Sequence, residues 1–170
     1  MNSSGLQDAT KSLLVHLGED LNRPGLLQTP EKFARLLADR LYAYTQEPPA
    51  VTTIDEPGAS GEIALEDISF ISFCEHHLVP FFGHVNVYYT PKNGRVTGFG
   101  TIARVCGHFA AKLQIQERMT AEIGQYLAEH LEPLSLRIEC RARHMCMELH
   151  GAQKENVRVK THFLHPQKQD

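Results

Sequence analysis

The sequence has few cysteines, no long apolar run and no excess of positive charge, and each shortage removes a class of protein. Its four cysteines, Cys74, Cys106, Cys140 and Cys146, are sparse for this length and lack the spacing of a disulfide framework, which points to a reducing cytoplasm. No stretch is apolar for long enough to span a bilayer, so no membrane partner is expected. The net charge of -3 supplies no dominant basic field, so no nucleic-acid partner is expected either. The opening MNSSGLQDATKSLL lacks a basic start followed by an apolar run and a small-residue cleavage site, and no secretory leader is expected. Repeats of solenoid type and low-complexity tracts are also missing.

What is present is the composition of a globular domain: 170 residues, 42% hydrophobic and 22% charged, enough to bury a core without disulfides. Apolar residues at helical spacing predict a helix over Leu6–Leu17, and NRPGL at 22–26 breaks it. Thr29 as cap with Pro30 at the first helical position starts a second helix, whose stripe runs through Phe33, Leu36, Leu37, Leu41 and Tyr44. Pro48-Pro49 ends it, and the turn-rich stretch to Glu62 reads as an exposed connection. Alternation predicts strands over Ile63–Phe73, His84–Thr90 and, after a Pro91-Lys92-Asn93-Gly94 hairpin, Arg95–Phe99. Helical spacing returns over Ile102–Leu113 and Met119–Leu131, then strands over Leu134–Arg143 and Val157–Leu164. The expected class is α+β: residues 1–50 form a helical N-terminal region, and 51–170 form one unit with an antiparallel sheet and helices on one face.

The chemistry concentrates in SFCEHHLVPFF at 72–82. Cys74 and His77 have the gap at which two side chains converge on one ion, and thiolate with imidazole suits zinc. A third ligand would come from the other close Cys/His pair, His144-Met145-Cys146-Met147, making Cys146 and His144 the candidates. Two other readings stay open on spacing alone: a Cys74 nucleophile with His76 or His77 as base, or a polar turn between buried segments. Cys106 and Cys140, isolated in apolar patterns, read as buried small hydrophobes.

FCEHHLVPFFG, LQIQER at 113–118, HMCM at 144–147 and NRPGLLQTPEK near the start, all in order, resemble the zinc-dependent GTP cyclohydrolase I family from about Gly18 to Leu164. The resemblance implies a T-fold catalytic unit over 51–170 that associates with its own copies into a ring, a decamer, with active sites between subunits. It implies a Zn2+ held by Cys74, His77 and Cys146, acid/base roles for His76 and His144, and a purine received by Gln116 and Glu117. The implied reaction opens the imidazole ring of GTP and yields formate and 7,8-dihydroneopterin triphosphate. Glu117 suits guanine because a carboxylate accepts two bonds side by side and guanine offers a ring N–H beside an amino group. Without the family, Gln116-Glu117-Arg118 reads as an ordinary charged helix start.

The phosphate grip departs from the family. Where it reads G-L-S-K-L-A-R, this chain has Gly98-Phe99-Gly100-Thr101-Ile102-Ala103-Arg104, and the arginine of C-M-x-x-R-G is His150. Arg104 remains, with Arg23 a lesser contributor; Lys154, Arg158, Lys160 or a protonated His150 could compensate, but a solvated charged strand edge is the preferred reading of those residues. Each lost charge-assisted bond removes about 1.5–3 kcal/mol, so two weaken binding by roughly a hundredfold to ten-thousandfold. The alternatives are a paralogue acting on a guanine nucleotide or nucleoside with fewer phosphates, a T-fold enzyme without this hydrolysis, such as a cysteine-dependent nitrile reductase, and a non-catalytic purine-binding ring.

Overall fold

Asn2 caps the first helix, its side-chain oxygen accepting from the Gly5 amide at 3.1 Å, which satisfies one donor left open at a helix start. The computed structural model describes residues 2–166, and the chain divides into two units, Met1–Gln46 and Glu47–Asp170. In the first, α1 (Ser3–His16) packs on α2 (Thr29–Arg40), and a 3-10 turn covers Tyr42–Tyr44. The cap expected at Thr29 is absent: α2 begins at Thr29 itself after Gln28, whose side chain makes no cap bond. Thr29 turns its hydroxyl back to the Gly25 carbonyl instead.

The second unit contains β1 (Thr53–Asp55), β2 (Ile63–Cys74), β3 (Pro80–Thr90), β4 (Arg95–Thr97), α3 (Phe99–Ala110), β5 (Leu113–Gln114), α4 (Gln116–Leu131), β6 (Ser135–His144), α5 (Met145–Leu149) and β7 (Val159–His165). Five strands form one sheet in the order β5-β2-β3-β6-β7. Alternation builds its inner face: Phe81, Val85, Val87 and Tyr89 of β3 meet Ile138, Cys140 and Ala142 of β6 in the core. Over that face lie Ile102, Val105 and Cys106 of α3 and Met119, Ile123, Leu127 and Leu131 of α4. This is the expected α+β, T-fold-like arrangement, with helices paired on one face.

Three further expectations need correction. The sheet is mixed rather than antiparallel, because β5 runs parallel to β2 through Phe73↔Leu113 and Cys74↔Gln114. Part of the connection before Glu62 is a strand: β1 pairs with β4 in a separate two-stranded sheet. The Pro91–Gly94 turn therefore joins β3 to β4 without pairing them. Gly94 is required there, since a Cβ would lie 2.3 Å from the Glu56 carbonyl oxygen at φ +74, where only glycine fits freely. Lastly, α3 starts at Phe99 and α4 at Gln116, a few residues earlier than periodicity indicates. Burial of Thr101 and Gln116 outweighs the weak helix propensity of their neighbourhood.

Candidate functional site

Cys74 ends β2 and immediately closes a turn. Its amide donates to the Val79 carbonyl at 2.9 Å and its carbonyl accepts from the Leu78 amide at 2.8 Å. Glu75, His76 and His77 ride on that turn, whose tightest point is Leu78 at φ 55. A bulky residue there costs about 1–3 kcal/mol and persists only where its surroundings enforce it. Across the sheet, Phe81 pairs with His144, the last residue of β6 and N-cap of α5. That register delivers Cys146, the second residue of α5, to the Cys74 turn.

The donor atoms of Cys74, His77 and Cys146 lie within 4.8 Å of one another. Burial, and then the charge of Cys74, push the Cys146 thiol up, so two thiolates side by side are unfavourable without a cation. A bound cation reverses that penalty, because it deprotonates its thiol ligands. Two sulfurs and one imidazole therefore suit a soft transition metal with a position left open. The other two cysteines play no part: burial pushes Cys106 and Cys140 up to about 12, and both stay as inert thiols.

Beside the cluster is a cleft of about 180 Å³ lined by Cys74, His76, Gln116, Glu117, His144, Cys146 and Met147, among others. Two hollows of about 410 Å³ lie on the helix-free face, both lined by Asn86 and Arg141, which alternate with inward residues. His76 approaches the cluster, its Nδ1 3.7 Å from the Cys74 sulfur. His144 stacks flat on Phe81, centroids 4.7 Å apart at 4°, and its Nε2 lies 2.8 Å from Gln116 Oε1. Burial holds its imidazole below the ordinary value against the opposing charge of Glu117. Glu117 is exposed in the first turn of α4, whereas Gln116 is 1% exposed.

Glu75, which had no role in the sequence reading, binds Arg118 at 2.5 Å, and that guanidinium holds its carboxyl below the usual carboxylate range. Arg118 also donates to Gln114 Oε1 at 2.8 Å and to the Leu113 carbonyl at 3.1 Å. The Glu75 amide donates to the Gln114 carbonyl at 3.1 Å. The metal turn is thus strapped to β5 and the start of α4, next to Glu117. The only sequence signal was the adjacency of Arg118 to Gln116-Glu117.

The phosphate candidates are less gathered. Thr101 accepts from Arg104 Nη2 at 3.0 Å, which folds the guanidinium back on its own helix. Gly100, Thr101 and Arg104 are not among the residues lining the cleft. His150 instead sits beside the metal turn, its ring 5.6 Å from that of His77. Within the first unit, Arg23 pairs with Glu19 at 2.6 Å.

Comparison with known proteins closes the assignment. The family description "GTP cyclohydrolase I" matches residues 6–170. Three similar proteins, each called GTP cyclohydrolase 1, come from Bacteroides fragilis (strain YCH46), Bacillus subtilis (strain 168) and Nitrosospira multiformis (strain ATCC 25196 / NCIMB 11849 / C 71). The first is 40% identical over 153 residues, 89% of this chain and 78% of that protein. The second is 36% identical over 162 residues, 95% and 85%, and the third 44% over 142 residues, 82% and 74%. With this match along nearly its whole length, and with the Cys/His cluster assembled, the chain belongs to the GTP cyclohydrolase I family.

Proposed function

We propose that this protein is a zinc-dependent hydrolase that opens the imidazole ring of GTP, releasing formate and yielding 7,8-dihydroneopterin triphosphate. The observation that carries the reading is the meeting of Cys74, His77 and Cys146 within 4.8 Å at a cleft shared with His76, Glu117 and His144. Those three ligands would hold the metal. Zinc, when bound, supplies Lewis acidity that makes water nucleophilic near neutral pH.

The side chains account for the remaining work. Exposed at the start of α4, Glu117 accepts from the guanine ring N–H and amino group, a pairing that adenine cannot offer. Water adds at the purine carbon between the two imidazole nitrogens, and His76 protonates a ring nitrogen as the carbon–nitrogen bond breaks. His144 then serves as acid/base while the ribose rearranges and recloses on the pyrimidine. The catalytic unit is 51–170, with 1–50 a helical region before it.

We propose that the chain forms a ring, a decamer by family resemblance, and two features of the sheet accord with a ring. The outer edge of β2 is covered by β5 at Phe73–Cys74 alone, and β7 ends the sheet. Two unlike open edges can pair head to tail, and such pairing builds a ring where the rotation between copies closes. A cytoplasmic location accords with four free thiols; among the described residues no helix is long and apolar enough to cross a membrane.

A second reading, action on a guanine compound with fewer phosphates, is favoured by the contact of Arg104 with Thr101 and by the placement of His150 beside His77. Steady-state formate release from GTP, GMP and guanosine separates the two. The first requires GTP to be far the best substrate. Full activity after chelation, with no metal found by elemental analysis, would sink the zinc mechanism for either.

A further inference from the structure

Gln116 is a buried polar residue of the cleft, 1% exposed, and the N–H groups of its carboxamide are all engaged by the protein. Its Nε2 lies 3.2 Å from the Cys140 carbonyl, 3.2 Å from the Val159 carbonyl and 3.1 Å from Thr161 Oγ1. Three acceptors share its two N–H groups. Carbonyl oxygens only accept, so the amide can be oriented in one way. Oε1 must then face His144 Nε2, 2.8 Å away. An oxygen that can only accept requires a proton on that nitrogen.

The neighbours reinforce the direction. Thr120 donates to the Gln116 carbonyl at 2.8 Å, and its oxygen lies 2.6 Å from that of Thr161. The hydroxyls therefore chain in one sense: Thr161 donates to Thr120, which leaves the Thr161 oxygen to accept from Gln116. Phe81 confines the plane of the His144 ring, and Gln116 sets its direction within that plane.

We propose that Gln116 is a positioning residue that locks His144 in the Nε2–H tautomer, leaving Nδ1 as the nitrogen that exchanges a proton with substrate. The tautomer follows from geometry alone, while its catalytic consequence rests on the function proposed above. A neutral imidazole carries one N–H. With that proton held toward Gln116, the lone pair of Nδ1 accepts a proton and, as Nδ1–H, returns it, and the Nε2–H bond to Gln116 is kept in both states. Gln116, expected on the purine, in this proposal acts through His144, while Glu117 supplies the carboxylate for guanine.

The test is magic-angle-spinning NMR of the ring nitrogens in full-length, zinc-loaded protein isotopically labelled at histidine, with His144 assigned by its absence in His144→Asn. Wild type should show a protonated Nε2 and an unprotonated Nδ1. In Gln116→Met both tautomers should appear, with kcat for formate release down about 10- to 100-fold and KM within about threefold. Thr161→Val keeps both carbonyl anchors and should retain the single tautomer and kcat, even where it melts earlier. A proton on Nδ1 in wild type, a single unchanged tautomer in Gln116→Met, or an equal kcat loss in Thr161→Val would each overturn the proposal. Should Gln116→Met fail to fold, the wild-type spectrum and Thr161→Val decide. A wild type that turns over no guanine nucleotide defeats the proposed function and leaves the tautomer to its spectrum.

Discussion

Replacing Gly124 by alanine should destabilise the protein, and removing one phenyl ring should reverse the sign. A Cβ at Gly124 would lie 2.2 Å from Cδ1 and 2.4 Å from Cγ of Phe163, so α4 presses on β7 at that point. Carbons rest about 3.5–4.0 Å apart, so the ring must retreat by more than about 1 Å. Such overpacking costs about 1–3 kcal/mol, against a helix-propensity gain of about 0.8–1.0 kcal/mol for alanine over glycine. The overlap wins or breaks even, giving a net loss of up to about 2 kcal/mol. At about 2–4 °C per kcal/mol for a chain of this size, Tm falls by as much as about 8 °C. In a Phe163→Ala background only the propensity gain remains, and Gly124→Ala should raise Tm by about 2–4 °C. Scanning calorimetry of the four proteins at matched protomer concentration reads both shifts. Equal shifts in the two backgrounds would refute the claim that Phe163 sets the spacing of α4.

Cys146→Ser removes one of three ligands and should weaken metal binding by more than about 100-fold, beyond the loss of an outer partner, as read by chelator competition. Metal affinity of the wild type should fall as pH is lowered: the Cys146 thiol is pushed up, so protons compete with the metal to higher pH than at an ordinary thiol. A flat profile by the same competition contradicts this. Glu75→Gln should leave melting nearly unchanged, because Glu75 and Arg118 are 35% and 40% exposed and screened by water. It should speed metal loss by about tenfold through the loosened turn, and an unaltered off-rate would deny the strap a role. His150→Arg, at an exposed position, should raise the preference for GTP over guanosine by about 10- to 100-fold, one charge-assisted bond. If that ratio of kcat/KM does not move, phosphates are not held there.

Cys74 and His77 were legible together because ligands on one turn leave a spacing in the chain. Without the family resemblance Cys146 was legible only as a soft ligand of the right kind, since its approach depends on β3 and β6 being neighbours with Phe81 opposite His144. The core helices and long strands followed from periodicity, although α3 and α4 start earlier because tertiary burial claims Thr101 and Gln116. Short elements escaped: β1 has 3 residues and β5 has 2, too few for alternation to register. The Glu75–Arg118 pair escaped because it crosses between elements 43 positions apart. Gln116 looked like a solvated helix start; β7, which buries it, arrives at Val159.

His144 is at once the end of a strand and the cap of the helix that carries Cys146. A one-residue slip of β6 against β3 would turn His144 to the other face and carry Cys146 away from Cys74 and His77. The cation site is then a gauge of strand register: only a correctly paired sheet can close it, and metal uptake marks the chains that have folded as they should.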